Sequence, residues 1–413
     1  MNGLYKLRSF LADFHPIVHS LIVGTVFARA ASSMSMPFLA IYLGKHTDMS
    51  PVLIGLTIGA GSLAGSVGGF VGGTLSDLFG RKRVMLIALY VWAFVFLGFA
   101  LGKSTLLFLL LNILSGLCRS IYEPVSQALM ADVTEPEKRF RVFSLRYTAI
   151  NLGVAVGPLL GAALALHGGA LPFLVTAFVY FVYAVLLQVL LRCFGIKQIE
   201  GQKKERITFR GAWQAIAGDG AFRYFIAGGI LAQISYSQMS VTLSQFVSGK
   251  FADGIKLFAV LMTVNAITVI LLQLPVARWS EKRSPLRSIA VGSVFFALGN
   301  IGYAYSSNWW MFIGSMVLFS IGEILCFPAS SVFVDRLAPE GMRGTYFGAQ
   351  SFINVGSFIG PALGGFFLEE YGGSTLFVVV ALISLVSIGF YTSGQRRFEA
   401  SRMQLAAKEE LPS

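Results

Sequence analysis

Charged side chains are scarce in this chain. Asp, Glu, Lys and Arg make up 13% of its 413 residues, 55% are hydrophobic, and the mean hydropathy is +0.72. A soluble domain needs more charge to cover its surface, so most of this chain has lipid as its solvent. Cysteine and histidine are rarer still, at three and four residues. Cys118, Cys193 and Cys326 have neither disulfide nor metal spacing and read as helix-packing residues. His15 and His19 stand at i,i+4 without a third ligand nearby and read as part of a solvated N-terminal segment. His167 lies at the end of an apolar run. An enzyme would need a nucleophile–base pair or a metal cluster, and neither is visible; no metal and no cofactor is expected. Gly98, Gly102, Lys103 and Ser104 imitate a phosphate-binding loop, but three residues separate the glycines where that loop needs four, so ATP is not the energy source. The net charge of +12 sits in short segments between apolar runs rather than on one face, which excludes a nucleic-acid partner.

Long apolar runs are what the chain has in abundance. A membrane span needs about 20 predominantly apolar residues, and about twelve candidates lie near 17–43, 51–75, 83–102, 105–131, 141–166, 170–193, 222–247, 254–277, 287–305, 308–334, 344–368 and 373–393. The expected class is an all-α membrane protein. A polar stretch, 195–219, divides it into an N-terminal six-helix bundle (1–194) and a C-terminal bundle with a tail (220–413). Of the 32 lysines and arginines, Lys45, Lys103, Lys250 and Lys256 fall on one side, Arg29, Arg119 and Arg146 fall within spans, and the rest share the other side. The positive-inside bias therefore places both termini in the cytoplasm. The basic, apolar start has no small-residue cleavage site before the next span and reads as the first transmembrane helix.

Gly153, Gly157, Pro158 and Gly161, headed by Asn151, return half a chain later as Gly356, Gly360, Pro361 and Gly364, headed by Asn354. A half-chain repeat built of membrane spans is the layout of a secondary transporter, with its site where the repeats meet. Glycine at every fourth position gives a smooth helix face, and the proline bends the helix there.

The turn after the second span carries Gly73, Leu75, Asp77, Gly80, Arg81 and Lys82. This Gly-x-Leu-x-Asp-x-x-Gly-Arg-Lys pattern resembles the signature of the major facilitator superfamily, and every defining position is filled. The acid beside fixed cations reads as a conformational latch. The glycine–proline repeat resembles the mark of that superfamily's antiporter branch, and Ser35 to Leu43, with Pro37, resembles the end of helix one in drug exporters. The fourth span departs from the family: where an arginine is usual, four residues before Gly116, this chain has Asn112, and Arg119 lies further along the same face.

Five charges lie embedded in spans, away from their ends: Arg29, Arg119, Glu123, Arg146 and Glu323. Each costs roughly 2.5–3.5 kcal/mol at a bilayer centre, so such residues usually face the bundle interior and work there. Glu323 has no cation within a turn of its own helix and is the first choice for a group that binds and releases a proton. Glu123 is the second, with Arg119 one turn away to pair with it. Met34, Asn151, Gln233, Tyr236, Gln238 and Asn354 are candidate substrate contacts, since polar groups among aromatic and methionine side chains suit a forgiving pocket.

The resemblance, which runs over nearly the whole chain, implies a bacterial twelve-helix drug/proton antiporter, monomeric in the cytoplasmic membrane. Two pseudo-symmetric six-helix bundles would exchange an inward proton for an outward amphipathic compound. One charge crossing ~100 mV yields about 2.3 kcal/mol, enough for roughly a fifty-fold gradient. A dedicated exporter of one metabolite, such as a siderophore or sugar derivative, and a proton-independent facilitator are the alternatives on the same fold.

Overall fold

A computed structural model of the chain describes residues 14–47, 49, 51–165, 169–194, 208–239 and 242–409. His167, most of the polar stretch after 194, and the side chains of Pro37 and Phe38 lie outside the described residues. Among those described there is no strand. The helices are α1 (Pro16–His46), α2 (Pro51–Phe79), α3 (Arg81–Leu101), α4 (Thr105–Asp132), α5 (Arg139–Ala165) and α6 (Leu171–Cys193). They continue with α7 (Phe209–Gly218), α8 (Gly220–Ser237), α9 (Thr242–Lys250), α10 (Gly254–Glu281), α11 (Pro285–Tyr305), α12 (Trp309–Leu337), α13 (Arg343–Ala349) and α14 (Val355–Glu409).

Helix starts follow capping chemistry. Ser104, Asp219, Ser284 and Asn308 accept a hydrogen bond from a backbone N–H of the first turns of α4, α8, α11 and α12. His15 does the same for α1, its Nδ1 taking the Ile17 N–H at 3.3 Å, so this histidine is a cap rather than a solvated bystander. Two glycines set the sharp corners. Gly80 (φ +94°) lets α2 turn directly into α3, and Gly372 (φ +79°) divides α14 at the boundary between the eleventh and twelfth spans.

The structure departs from the span pattern in three places. The seventh span is two helices, α8 and α9. Residues 209–218, placed in the polar stretch by sequence, form α7, whose Trp213 is exposed and meets Phe352 edge-on. The eleventh span begins with the short α13 and a 3₁₀ turn, Gln350–Asn354, before the long helix resumes.

The chain divides into two compact units. The first comprises residues up to Thr208 together with Glu340–Ser351; the second comprises Phe209–Pro339 and Phe352–Ser413. In the first, α1 packs on α5, α2 on α4, and α3 on α6; in the second, α8 packs on α14, α10 on α12, and α11 on α14. The pairing scheme is the same in each unit, as a repeat requires. Lipid offers no hydrophobic drive for such pairing, so close backbone approach has to supply it.

The repeated glycines do so in the same way twice. A Cβ at Gly153 or Gly157 would strike the α1 backbone at Val26, Ala30 and Met34, and one at Gly356 or Gly360 would strike α8 at Ile230 and Ile234. Polar groups seal each seam: Ser33 Oγ donates to the Gly153 carbonyl at 3.2 Å, and Gln238 Nε2 to the Gly360 carbonyl at 2.8 Å. Gly153→Ala and Gly356→Ala are therefore expected to destabilise alike, by about 1–3 kcal/mol each, as a lowered unfolding temperature in detergent. A neutral result for either would show that its seam has slack.

Candidate functional site

Glu323 lies in the middle of α12, 1% exposed. Two neutral donors from different helices hold its carboxylate. The Tyr236 hydroxyl of α8 reaches Oε1 at 3.1 Å, and the Asn265 amide of α10 reaches Oε2 at 2.7 Å. Asn265 also donates to Ser320 Oγ at 2.9 Å, which fixes the amide against α12. Tyr236 is set by aromatic contacts, stacked on Phe319 at 6.1 Å and edge-on to Phe327 at 5.0 Å. This arrangement accommodates either protonation state. A carboxylate accepts from both donors; a carboxylic acid still accepts from Asn265 and turns its own O–H toward the tyrosine oxygen, which is donor and acceptor alike.

In the first unit Glu123 of α4 pairs with Arg29 of α1, Nη2 to Oε1 at 2.5 Å, both half-buried. Sequence offered Arg119 as the partner, and the structure corrects this. An arginine N-terminal to a glutamate at i,i+4 is the weaker orientation on a helix, and Arg119 instead lies exposed, with no hydrogen bond or ion pair among the described residues. Arg146 of α5 is 8% exposed, and the Gln127 amide of α4 lies against its guanidinium; in the orientation that its neighbours require, the amide oxygen accepts from Nη1 and Nη2 at 2.9 and 3.2 Å. The charges of Arg29, Arg119 and Arg146 all act on Glu123. Tyr122 and Tyr183 close the back of the cluster through a hydroxyl–hydroxyl bond of 2.6 Å. Asn112, at the place where an arginine is usual, is buried and donates to the Thr57 and Ile58 carbonyls, so it fastens α4 to α2.

A third cluster joins α2, α3, α4 and α13 within the first unit. The Asp77 side chain, fully buried, is in ion contact with Arg81 and accepts from Gly344 N at 3.1 Å, Thr345 N at 2.6 Å and Thr345 Oγ1 at 2.7 Å. An acid from α2 thus caps the first turn of α13, where unsatisfied N–H groups and the helix dipole favour negative charge. Asp132 extends the network, accepting from Arg81 Nε at 3.1 Å and pairing with Arg343 Nη1 at 2.8 Å. Gly73 makes the approach possible: a Cβ there would collide with the Gly344 carbonyl. Gly80 turns the chain as described, and Lys82 stands half-exposed beside the cluster.

The candidate substrate contacts fare unevenly. Tyr236 joins Glu323. Gln238 is fully buried and committed: its Nε2 donates to Ile234 and Gly360 carbonyls, and its Oε1 accepts from Thr242 Oγ1 at 2.5 Å. Gln233 is tied to Ser357 at 2.7 Å, and Met34 is buried behind Gly157. These three serve helix packing, because an amide or thioether on the glycine-facing side of α1 or α8 is pressed against the opposing backbone. Asn151 is half-buried and donates to the Tyr147 carbonyl, and Asn354 is exposed. Asn265, Gln127, Asp132, Arg343 and Thr345 were not singled out from sequence. The one available signal was Asp132, which recurs half a chain later as Asp335 ahead of a matching Pro-Glu pair.

The chain matches the model of the Major Facilitator Superfamily over residues 21–351 and 253–402. It is 36% identical over 405 residues to the uncharacterized MFS-type transporter YqjV of Bacillus subtilis, covering 97% of this chain and 98% of that one. It is 29% identical over 385 residues to a Na(+), Li(+), K(+)/H(+) antiporter of Planococcus maritimus, covering 85% and 89%. Among solved structures, a bacterial homologue of the iron transporter ferroportin in an outward-facing state superposes with a TM-score of 0.76 at 16% identity, over 92% of this chain and 99% of that one. Its helix order, paired units and signature turn agree with a family match that spans nearly the whole chain, and the protein is a multi-pass membrane transporter belonging to the Major Facilitator Superfamily.

Proposed function

We propose that this transporter exports small amphipathic compounds in exchange for protons by alternating access. In this reading it works as a monomer in the bacterial cytoplasmic membrane with both termini in the cytoplasm, and its two six-helix bundles expose the substrate to one side of the membrane at a time. The observation that carries the reading is Glu323, a carboxyl buried inside a membrane helix and held by neutral donors that suit both its charged and its protonated form. A group placed in this way can take up a proton from one side and release it to the other when the bundles move. The name of the Planococcus relative, an antiporter that uses protons, supports the exchange half of the reading. The Asp77 cluster is the latch in this scheme, closing when α13 docks on α2 and opening when those bonds are surrendered.

The test is efflux from proteoliposomes of a panel of amphipathic fluorescent dyes of either charge under an imposed pH gradient. Proton-dependent efflux of several unrelated dyes is the expected result. Efflux that proceeds equally without the gradient would favour a facilitator. No efflux of any dye would favour a transporter dedicated to one metabolite. Tyr236→Phe is expected to slow the exchange while leaving it gradient-dependent, because Asn265 still holds the carboxyl but the switching partner is gone. An unaltered rate would show that the hydroxyl takes no part.

A further inference from the structure

The spans of the first unit carry an unbalanced charge. Three arginines share one acid: Glu123 is ion-paired with Arg29, and its charge also reaches Arg119 and Arg146, which have no ion pair of their own among the described residues. Arg146 is nine-tenths buried, its hydrogen-bond partner is the neutral Gln127 amide in the orientation that turns its oxygen to the guanidinium, and its Nε lies buried with no hydrogen-bond partner. Arg119 is exposed on the α4 face that also carries Glu123 and Gln127. A charged side chain is costly inside a span unless something answers it, and the like charge of Arg29 acts on Arg146 as well.

The second unit makes the contrast explicit. Ser104 caps α4 and Pro124 bends it; Asn308 caps α12 and Pro328 bends it. Arg119 and Glu323 stand the same number of residues from the cap and from the proline of their helices. The repeat therefore places a cation in one half at the position where the other half carries its buried acid. A transporter of cations would gain nothing from this substitution, since a surplus of positive charge repels them.

We propose that Arg119 and Arg146, with Gln127 and the Arg29–Glu123 pair beside them, form the binding site for the anionic group of the substrate, a carboxylate or comparable acid on an amphipathic body. The inference rests on the export reading and narrows its substrate class. Arg119 supplies the accessible contact and Arg146 the fixed field behind it, with its unpaired Nε as an additional donor. A consequence for energetics follows. Export of a monovalent anion against one entering proton moves charge in the same electrical direction twice, so membrane potential as well as the pH gradient drives the cycle, whereas exchange of a monovalent cation for a proton is electroneutral.

Two dyes that share a xanthene core test this, carboxyfluorescein as the anion and rhodamine 123 as the cation. Each is loaded into proteoliposomes containing the full-length protein, and efflux is driven by a pH gradient with and without a membrane potential. Carboxyfluorescein is expected to move faster, to respond to the potential, and to lose at least about ten-fold in rate in Arg119→Gln, while Arg119→Lys keeps most of it. Arg146→Gln is expected to show the same loss, and the exposed position 119 keeps the test valid should that buried variant fail to fold. Movement of rhodamine 123 alone, or a preference for the anion untouched in Arg119→Gln, overturns the anion site and leaves the export reading standing. Movement of neither dye overturns the broad-export reading and this inference with it.

Discussion

Glu323→Gln is expected to leave a folded protein whose efflux no longer responds to an imposed pH gradient. Glutamine has the shape of the protonated acid. Its carbonyl oxygen can accept from Asn265 and its amide can donate to the Tyr236 oxygen, so both contacts survive, the one to Tyr236 with its direction reversed. A fully buried acid replaced by an apolar side chain would instead strand those donors at a cost of about 1–3 kcal/mol each, which makes Glu323→Leu the wrong test. The variant therefore separates chemistry from folding: the unfolding temperature should stay within a few degrees of wild type, while gradient-driven efflux falls to the level of empty vesicles. Exchange of substrate for substrate, which needs no net proton movement, should persist. Gradient-driven efflux at the wild-type rate in Glu323→Gln would remove this residue from the coupling step and pass the role to Glu123.

Asp77→Ala is expected to have the second-largest effect, on the conformational cycle rather than on the proton. The substitution deletes the Arg81 contact and three hydrogen bonds to Gly344 and Thr345. Bonds to a charged group are worth about 1.5–3 kcal/mol each, and each 1.4 kcal/mol is about ten-fold in an equilibrium. Amide exchange across residues 340–351 should therefore accelerate by more than about a hundred-fold, with transport reduced well below half of wild type. Thr345→Val, which loses only the hydroxyl bond, should accelerate exchange by no more than about ten-fold. If Asp77→Ala leaves exchange at Gly344 and Thr345 unchanged, those amides have another acceptor and the latch lies elsewhere.

The sequence carried the architecture because span length and apolarity are local properties, and because one repeat, Gly153–Gly161 with Gly356–Gly364, exposed the duplication. It failed where local composition misleads. Residues 222–247 read as one span, although they form α8 and α9. The polar stretch hid α7, whose amphipathic pattern is short. At the site, Glu323 was legible as an acid inside an apolar run, but its partners were not. Tyr236 and Asn265 arrive from helices far along the chain, and nothing local distinguishes Asn265 from a packing amide. The same holds for Glu123. A reader of one helix finds Arg119 beside it, whereas the partner it takes, Arg29, comes from another helix with better geometry. Gln238 and Gln233 erred in the opposite sense: polar residues in a span suggested a pocket, and both are consumed in holding α14.

Proton release on substrate binding tests the central claim most directly. The purified protein, in weakly buffered detergent solution with a pH-sensitive dye, is mixed with a transported compound identified in the vesicle panel. If protons and substrate exchange through Glu323, wild type releases protons on binding, the amount falls as the starting pH is raised far enough to ionise the site beforehand, and Glu323→Gln binds the compound with no release. Release of the same size from Glu323→Gln, or binding by wild type without any release across the pH range, would contradict an exchange centred on that carboxyl.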